Sequence, residues 1–179
     1  SSRDSNRYQY ERFLLSQLLV MALKGVPAFY LPAILASEND IKSFSMTGQR
    51  RDLNREKFKS ENLISILNNP ESNANRNLKY LKNAMDIRSK LKEFHPSSKM
   101  KCLTKGRSDI VVIKRGTGNR AVFTIHNMTE NKMNFRLNDS ELLDLNKNDL
   151  YLKDFLSSNK YSSKNINLEP FQVIWLGIL

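Results

Sequence analysis

Residues 13–31, FLLSQLLVMALKGVPAFYL, join a helical pattern directly to a continuously apolar one. Apolar residues recur at helical spacing from Phe13 to Met21 and leave little polar face, which predicts a helix buried on most sides. Gly25 is expected to end that helix. Residues 26–31 then predict a short strand, with Pro27 among its first residues. A buried helix followed within a few residues by an apolar strand is typical of an α/β protein with a parallel sheet.

The periodicity changes near residue 96. Residues 32–55 predict a loop, and residues 60–67 and 75–95 predict two helices, the second ended by Pro96. Beyond it the apolar residues alternate, which predicts strands at 110–115, 120–126, 133–137 and 171–176. We therefore expect two domains, an α/β part over residues 1–96 and a small antiparallel β domain over residues 97–179.

The first of these domains cannot be complete as it stands. A parallel strand needs parallel neighbours, and residues 1–96 supply one strand and three helices. We therefore expect the chain to be the last part of a longer protein.

Composition narrows the class of protein. The chain has 179 residues and one cysteine, Cys102, which excludes a disulfide scaffold and favours a reducing compartment, so we expect a cytoplasmic protein. The most apolar run falls short of the ~20 residues that a bilayer requires, so no membrane partner is expected. The net charge of +11 makes a nucleic-acid-binding module the alternative from another class. We place that alternative second, because the excess charge is spread over both halves without a basic tail.

Residues 12–58 carry a resemblance to a known family. They read RFLLSQLLVMALKGVPAFYLPAILASENDIKSFSMTGQRRDLNREKF. The features are Gly25-Val26-Pro27 after the helix, the segment ending at Tyr30, the loop over residues 35–40 and the block Arg51-Asp52-Leu53-Asn54-Arg55. This stretch closely resembles the end of the catalytic barrel in sucrose phosphorylase and its relatives, within the α-amylase superfamily of glycoside hydrolases.

Two further features fit that family. Leu31-Pro32-Ala33 stands where hydrolytic amylases usually carry Gly-x-Glu, which favours the phosphorylase-like branch. Residues 168–176 resemble the C-terminal end of the family. The resemblance implies that the chain holds the final helix–strand–helix part of a (β/α)₈ TIM barrel, followed by a C-terminal antiparallel β domain.

The resemblance also implies a function for the parent enzyme. Members transfer glucose from an α-glucoside to inorganic phosphate, which acts as co-substrate, through a glucosyl-enzyme. No further cofactor and no metal are implied, and the partners are a small carbohydrate and phosphate. The nucleophilic Asp, the Glu acid/base and the stabilising Asp would lie upstream of Ser1, so we expect no catalytic residue here and no activity from this chain alone. An α-glucosidase or transglucosidase of the same superfamily is the alternative.

Arg51 is the main candidate for substrate binding, and Arg55 is a weaker one. A guanidinium can grip two oxygens of phosphate and stays charged when desolvated. In the family, the matching arginine lies at the acceptor subsite, so by resemblance Arg51 would hold phosphate. Taken alone, the block also fits a solvated helix start with ion pairs, in which Asp52 orients a neighbouring arginine. Asn39 and Asp40 are first of all a turn signal.

The remaining chemically versatile residues give weaker signals. His95 and His126 lack a second ligand at metal spacing, and Cys102 has no adjacent histidine, so neither a zinc site nor a thiol nucleophile is predicted. Trp175 lies on an apolar strand face and is expected in the core.

Overall fold

The computed structural model describes residues 7–137 and 150–178 as helices followed by antiparallel sheets. The helices are α1 (Gln9–Ala22), α2 (Leu31–Ile34), α3 (Ile41–Thr47), α4 (Ser60–Asn68) and α5 (Asn73–Lys90), with 3₁₀ segments at Arg50–Asn54, Lys92–Phe94 and Gly118–Arg120. The strands are β1 (Met100–Cys102), β2 (Ile110–Arg115), β3 (Val122–Asn127), β4 (Met133–Phe135), β5 (Tyr151–Asp154), β6 (Lys160–Ser162), β7 (Ile166–Leu168) and β8 (Val173–Ile178).

The described residues divide into two compact units. One is formed by the chain up to Pro27 and from Ala84 onwards, and the other by Ala28–Asn83. The predicted division of the chain after residue 96 stays a prediction.

The larger unit is built on a six-stranded sheet in the order β1-β2-β3-β8-β5-β6, with every pairing antiparallel. β4 and β7 form a second, two-stranded antiparallel sheet. The sequence prediction of an antiparallel β domain is therefore confirmed in outline.

The two faces of the six-stranded sheet bury different residues. One face joins the two-stranded sheet in an apolar core that includes Ile110, Val112, Phe123, Ile125, Ile166, Leu168, Ile174 and Leu176. The opposite face carries Arg115, Thr124, His126 and Trp175, all fully buried, and α1 packs against β3 there. The strand register brings Thr124 directly between Ile113 and Trp175. Trp175 is in the core, as predicted.

Helix α1 buries one stripe rather than most of its surface. Leu15, Leu18, Met21 and Ala22 are buried, whereas the side chain of Val20 is 43% exposed. The helix also ends earlier than predicted, because Leu23 already has extended backbone, while Gly25 follows with φ of +117°. The positive φ explains the glycine, since other residues rarely adopt it.

The strand predicted at residues 26–31 is not formed in this structure. Residues 26–30 have no regular structure, and α2 begins at Leu31. A strand exists only when a neighbour takes up its backbone hydrogen bonds, and no described segment pairs with residues 26–30. The apolar pattern therefore marks a segment suited to pairing, and residues 7–137 and 150–178 supply no strand that pairs with it.

The predicted loop over residues 32–55 is more ordered than expected, because it contains α2, α3 and the 3₁₀ turn. The two helices predicted after it are confirmed as α4 and α5. Helix α5 ends at Lys90, five residues before the predicted end, and the 3₁₀ segment Lys92–Phe94 continues the chain to Pro96.

Candidate functional site

Arg51 lies on the exposed 3₁₀ turn Arg50–Asn54 of the smaller unit, and its own side chain is exposed. The turn is tied back to the start of α3, because the Asp40 N–H donates to the Leu53 carbonyl at 2.8 Å. Residues 40–53 therefore form a compact surface loop whose ends meet, of the size usual for Ω-loops. We call this segment the arginine loop.

Asp40 begins α3 within the arginine loop. Its Oδ1 accepts the Ser43 N–H at 2.9 Å, and its Oδ2 accepts the Ser43 hydroxyl at 2.5 Å. This is the usual N-cap arrangement, which satisfies backbone donors that the first helical turn leaves unpaired. These hydrogen bonds to Ser43 lower the pKa of Asp40. The turn signal in the sequence thus corresponds to a helix cap.

The carboxylate of Asp52 is held by α3 rather than by an arginine. Its Oδ2 accepts the Thr47 hydroxyl at 2.6 Å. No carboxylate of the described residues lies within 4.0 Å of the Arg51 or Arg55 guanidinium. The ion-paired helix start that the sequence block also allowed is therefore not formed. Arg51, in the arginine loop, and Arg55, two residues beyond it, are both exposed cations.

A buried asparagine anchors α2 in the same unit. Asn77 is fully buried on α5, and its amide nitrogen donates to the carbonyls of Ala33 and Ile34 at 3.0 and 2.8 Å. No sequence pattern indicates this residue, since asparagine is common along the whole chain. It fixes the end of the helix that leads into the arginine loop.

Two arginines of the larger unit bind the carboxyl end of α1. Arg115 is fully buried and donates to the carbonyls of Ala22 and Leu23 at 3.0 and 2.6 Å, and to that of His95 at 3.1 Å. Arg88 donates to the carbonyls of Met21 and Gly25 at 3.0 and 2.9 Å.

The cations of Arg88 and Arg115 complement the negative end of the helix dipole and the carbonyls that the last turn leaves unpaired. Both guanidinium groups also lie over the Phe94 ring, at 5.6 and 5.5 Å from its centroid. Burial lowers the pKa of each arginine. Sequence reasoning missed both residues, because a buried arginine at the end of a strand looks like a surface residue in the sequence.

The two histidines have different environments. His126 is fully buried on β3, and its Nδ1–H donates to the Val111 carbonyl at 3.2 Å. Burial lowers the pKa of His126 to about 4, and the backbone carbonyls of Val111 and Leu18 offset this only in part. His95 is exposed, and its Nδ1 accepts the Ser97 N–H. His126 is thus a neutral core residue at pH 7.

A cavity of about 660 Å³ lies at the end of α5, lined by residues 88–98 and open to solvent. It contains none of the predicted site residues. Within residues 7–137 and 150–178, no group of three His, Cys, Asp or Glu side chains could hold a metal ion. Likewise, no helix in these ranges is long and apolar enough to cross a membrane.

Comparison with known proteins identifies similar sequences, although no family model matches the chain. This chain is 24% identical to glucosylglycerate phosphorylase of Escherichia coli (strain K12) over 172 residues, which cover 96% of this chain and 29% of that protein. Glucosylglycerate phosphorylase of Allomeiothermus silvanus is 29% identical over 130 residues, which cover 73% of this chain and 23% of that protein. The chain thus spans less than a third of the length of the curated relatives that it matches.

Solved structures share the fold. Trehalose-6-phosphate hydrolase of Bacillus licheniformis superposes with a TM-score of 0.69 at 16% identity, covering 97% of this chain and 39% of that one. The α-amylase of Geobacillus thermoleovorans superposes with a TM-score of 0.67 at 19% identity, covering 93% of this chain and 33% of that one. The sequence relatives agree with the resemblance that residues 12–58 carry to the sucrose phosphorylase-like branch of the α-amylase superfamily of glycoside hydrolases, and the solved structures show that the fold is shared.

Proposed function

We propose that this chain is part of a retaining α-glucosyl phosphorylase, and that glucosylglycerate is the α-glucoside that the whole enzyme cleaves. The observation that carries the proposal is the similarity over 172 residues to a glucosylglycerate phosphorylase. The whole enzyme transfers glucose from glucosylglycerate to inorganic phosphate and releases α-glucose 1-phosphate and glycerate.

The chemistry follows a double displacement. A carboxylate nucleophile outside this chain attacks the anomeric carbon while a carboxylic acid protonates the departing glycerate oxygen. Phosphate then attacks the same carbon in place of water. Residues 1–96 belong to the barrel that holds these groups, residues 97–179 form the β domain, and the chain alone is inactive because it lacks the carboxylates.

Arg51 holds the anionic acceptor in this proposal, and Arg55 adds positive charge beside it. Phosphate and glycerate are both anions, so one cationic subsite serves the leaving group and the incoming acceptor in turn. The exposed guanidinium of Arg51, with no carboxylate of the described residues within 4.0 Å, supports this role. A guanidinium can bind two oxygens of either anion at once.

The test measures glucose 1-phosphate and free glucose released from glucosylglycerate by the full-length enzyme, with and without phosphate. We expect glucose 1-phosphate to be the main product when phosphate is present. Arg51→Ala should raise the KM for phosphate at least about ten-fold, since a charge-assisted hydrogen bond contributes roughly 1.5–3 kcal/mol. At saturating glucosylglycerate, hydrolysis to glucose should fall less than phosphorolysis, because both reactions share the step that releases glycerate but only phosphate needs the cation when it attacks.

Arg136→Ala is the matched control, since Arg136 is an exposed arginine of the other unit and should leave both reactions unchanged. Equal losses of phosphorolysis and hydrolysis in Arg51→Ala would overturn the acceptor role. A wild-type enzyme that releases only glucose at any phosphate concentration would instead identify a glucosidase and overturn the proposed function itself.

A further inference from the structure

We propose that Thr47 and Asp52 are positioning residues that keep the Arg51 guanidinium available to the anionic acceptor. This inference rests on the proposed function. Thr47 holds the Asp52 carboxylate against α3, and the carboxylate is thereby kept from neutralising the arginines beside it. The pair sets the charge of the subsite without touching the substrate.

The hydrogen bonds at Thr47 favour this arrangement. Its hydroxyl lies 2.6 Å from Asp52 Oδ2 and 3.0 Å from the Ser43 carbonyl, but it has one proton to donate. The bond to the carboxylate is the shorter one and is charge-assisted, so the proton points to Asp52. The Gln49 N–H in turn donates to the Thr47 oxygen at 3.2 Å. The hydroxyl therefore links the last residue of α3 to the turn that carries Arg51.

The backbone brings these two side chains together. Gly48 follows α3 with φ of +68°, and its N–H donates to the Phe44 carbonyl at 2.8 Å. This left-handed residue reverses the chain, as glycine does at many helix ends. The Asp52 N–H then donates to the Gln49 carbonyl at 2.9 Å and closes the first turn of the 3₁₀ segment. The side chains of Thr47 and Asp52 consequently meet, with four residues of chain between them.

Without Thr47, the nearest cations would compete for the Asp52 carboxylate. Arg51 is the immediate neighbour of Asp52 in the 3₁₀ segment, and Arg55 follows that segment with its N–H donating to the Asp52 carbonyl at 3.2 Å. Exposed ion pairs of this kind are weak, but they form when nothing else holds the carboxylate. A pair with Arg51 would lower the charge offered to phosphate. The observed bond to Thr47 competes with such a pair.

The experiment compares Thr47→Val, Thr47→Ser and Ser45→Ala in the full-length enzyme with glucosylglycerate and inorganic phosphate. Thr47→Val keeps the shape and removes the hydroxyl, so we expect the KM for phosphate to rise about two- to five-fold, the range set by weak exposed ion pairs. The kcat of phosphorolysis and the rate of hydrolysis should stay within experimental error. Thr47→Ser keeps the hydroxyl and should restore the wild-type KM for phosphate.

Ser45→Ala is the matched control, because Ser45 is an exposed residue of α3 whose hydroxyl bonds only within the helix, to the Ile41 carbonyl. A loss shared by Thr47→Val, Thr47→Ser and Ser45→Ala would mean damage to α3 and would overturn the inference. An unchanged KM for phosphate in Thr47→Val, with a raised one in Arg51→Ala, would overturn it while leaving the proposed function intact. No phosphate dependence in the wild-type enzyme would overturn the proposed function first.

Discussion

The buried histidine of β3 should make the larger unit sensitive to mild acid. The pKa of His126 is about 4 in the folded protein and about 6.5 in an unfolded chain. The unfolded chain therefore binds more protons between these two values. The contribution of His126 to the free energy of unfolding is therefore complete above pH 6.5, and it is lost as the pH decreases toward 4.

The size of this effect follows from the two pKa values. Each pH unit inside the window is worth about 1.4 kcal/mol, so the total loss below pH 4 is about 3 kcal/mol. About 2 kcal/mol of this is lost between pH 8 and pH 5, before most carboxylates protonate. A domain of this size has only about 5–15 kcal/mol of stability, so the loss is large enough to measure.

Urea unfolding at pH 8 and pH 5 measures it, with the fluorescence of Trp175 as the signal. Trp175 is the single tryptophan of the chain, fully buried on β8 beside the strand of His126. His126→Gln removes the titrating ring, so the difference in stability between the two pH values should shrink by about 2 kcal/mol. His95→Gln is the control, since that ring is exposed and should leave the difference unchanged. The same pH dependence in His126→Gln and wild type would refute the reasoning.

Two further predictions concern the same unit and the same urea assay. Arg115→Leu leaves three carbonyls without their donor and should lower the free energy of unfolding by about 3 kcal/mol. Arg88→Leu removes a partly exposed donor of two hydrogen bonds and should lower the free energy of unfolding by less. A larger loss from Arg88→Leu than from Arg115→Leu would contradict this ranking. Gly177→Ala places a Cβ 2.5 Å from two ring atoms of Phe155 and should lower the free energy of unfolding by about 1–3 kcal/mol. Adding Phe155→Leu should recover part of this loss, because it removes the ring that the Cβ meets. Additive losses in the double variant would contradict the steric cause.

The sequence pattern predicted the long elements well and the short ones poorly. Residues 110–115 are rich in β-branched residues, and they form β2 over that same range. Strands β1, β6 and β7 are three residues long, which is too short for an alternation to stand out. Nothing in the local sequence could therefore reveal that β6 is an edge strand or that β7 joins the second sheet.

The segment at residues 26–30 shows a different limit. Its apolar run predicts a strand, and the structure leaves it unpaired. Composition reports what a segment is suited to, while pairing depends on neighbours elsewhere in the sequence. The same distinction applies to Arg51: the family resemblance indicated which arginine to consider, but only the structure shows that Asp52 is bound to Thr47.

The basic residues behind the net charge of +11 differ in the groups that they contact. Arg88 and Arg115 donate to backbone carbonyls at the end of α1. Arg107 and Lys132 are paired with carboxylates of the larger unit. Arg51 differs from these four residues, because the neighbouring carboxylate of Asp52 is hydrogen-bonded to Thr47 instead.

The state of Arg51 favours a specific site for a small anion over attraction of a partner by net charge alone. A nucleic-acid partner would be attracted by total charge and would be indifferent to the state of one aspartate. A small anion bound at a single guanidinium depends directly on whether that guanidinium is already neutralised. The hydrogen bond from Thr47 to Asp52 would affect binding only in the second case, and it is therefore the structural feature that most favours the proposed anion subsite in the arginine loop.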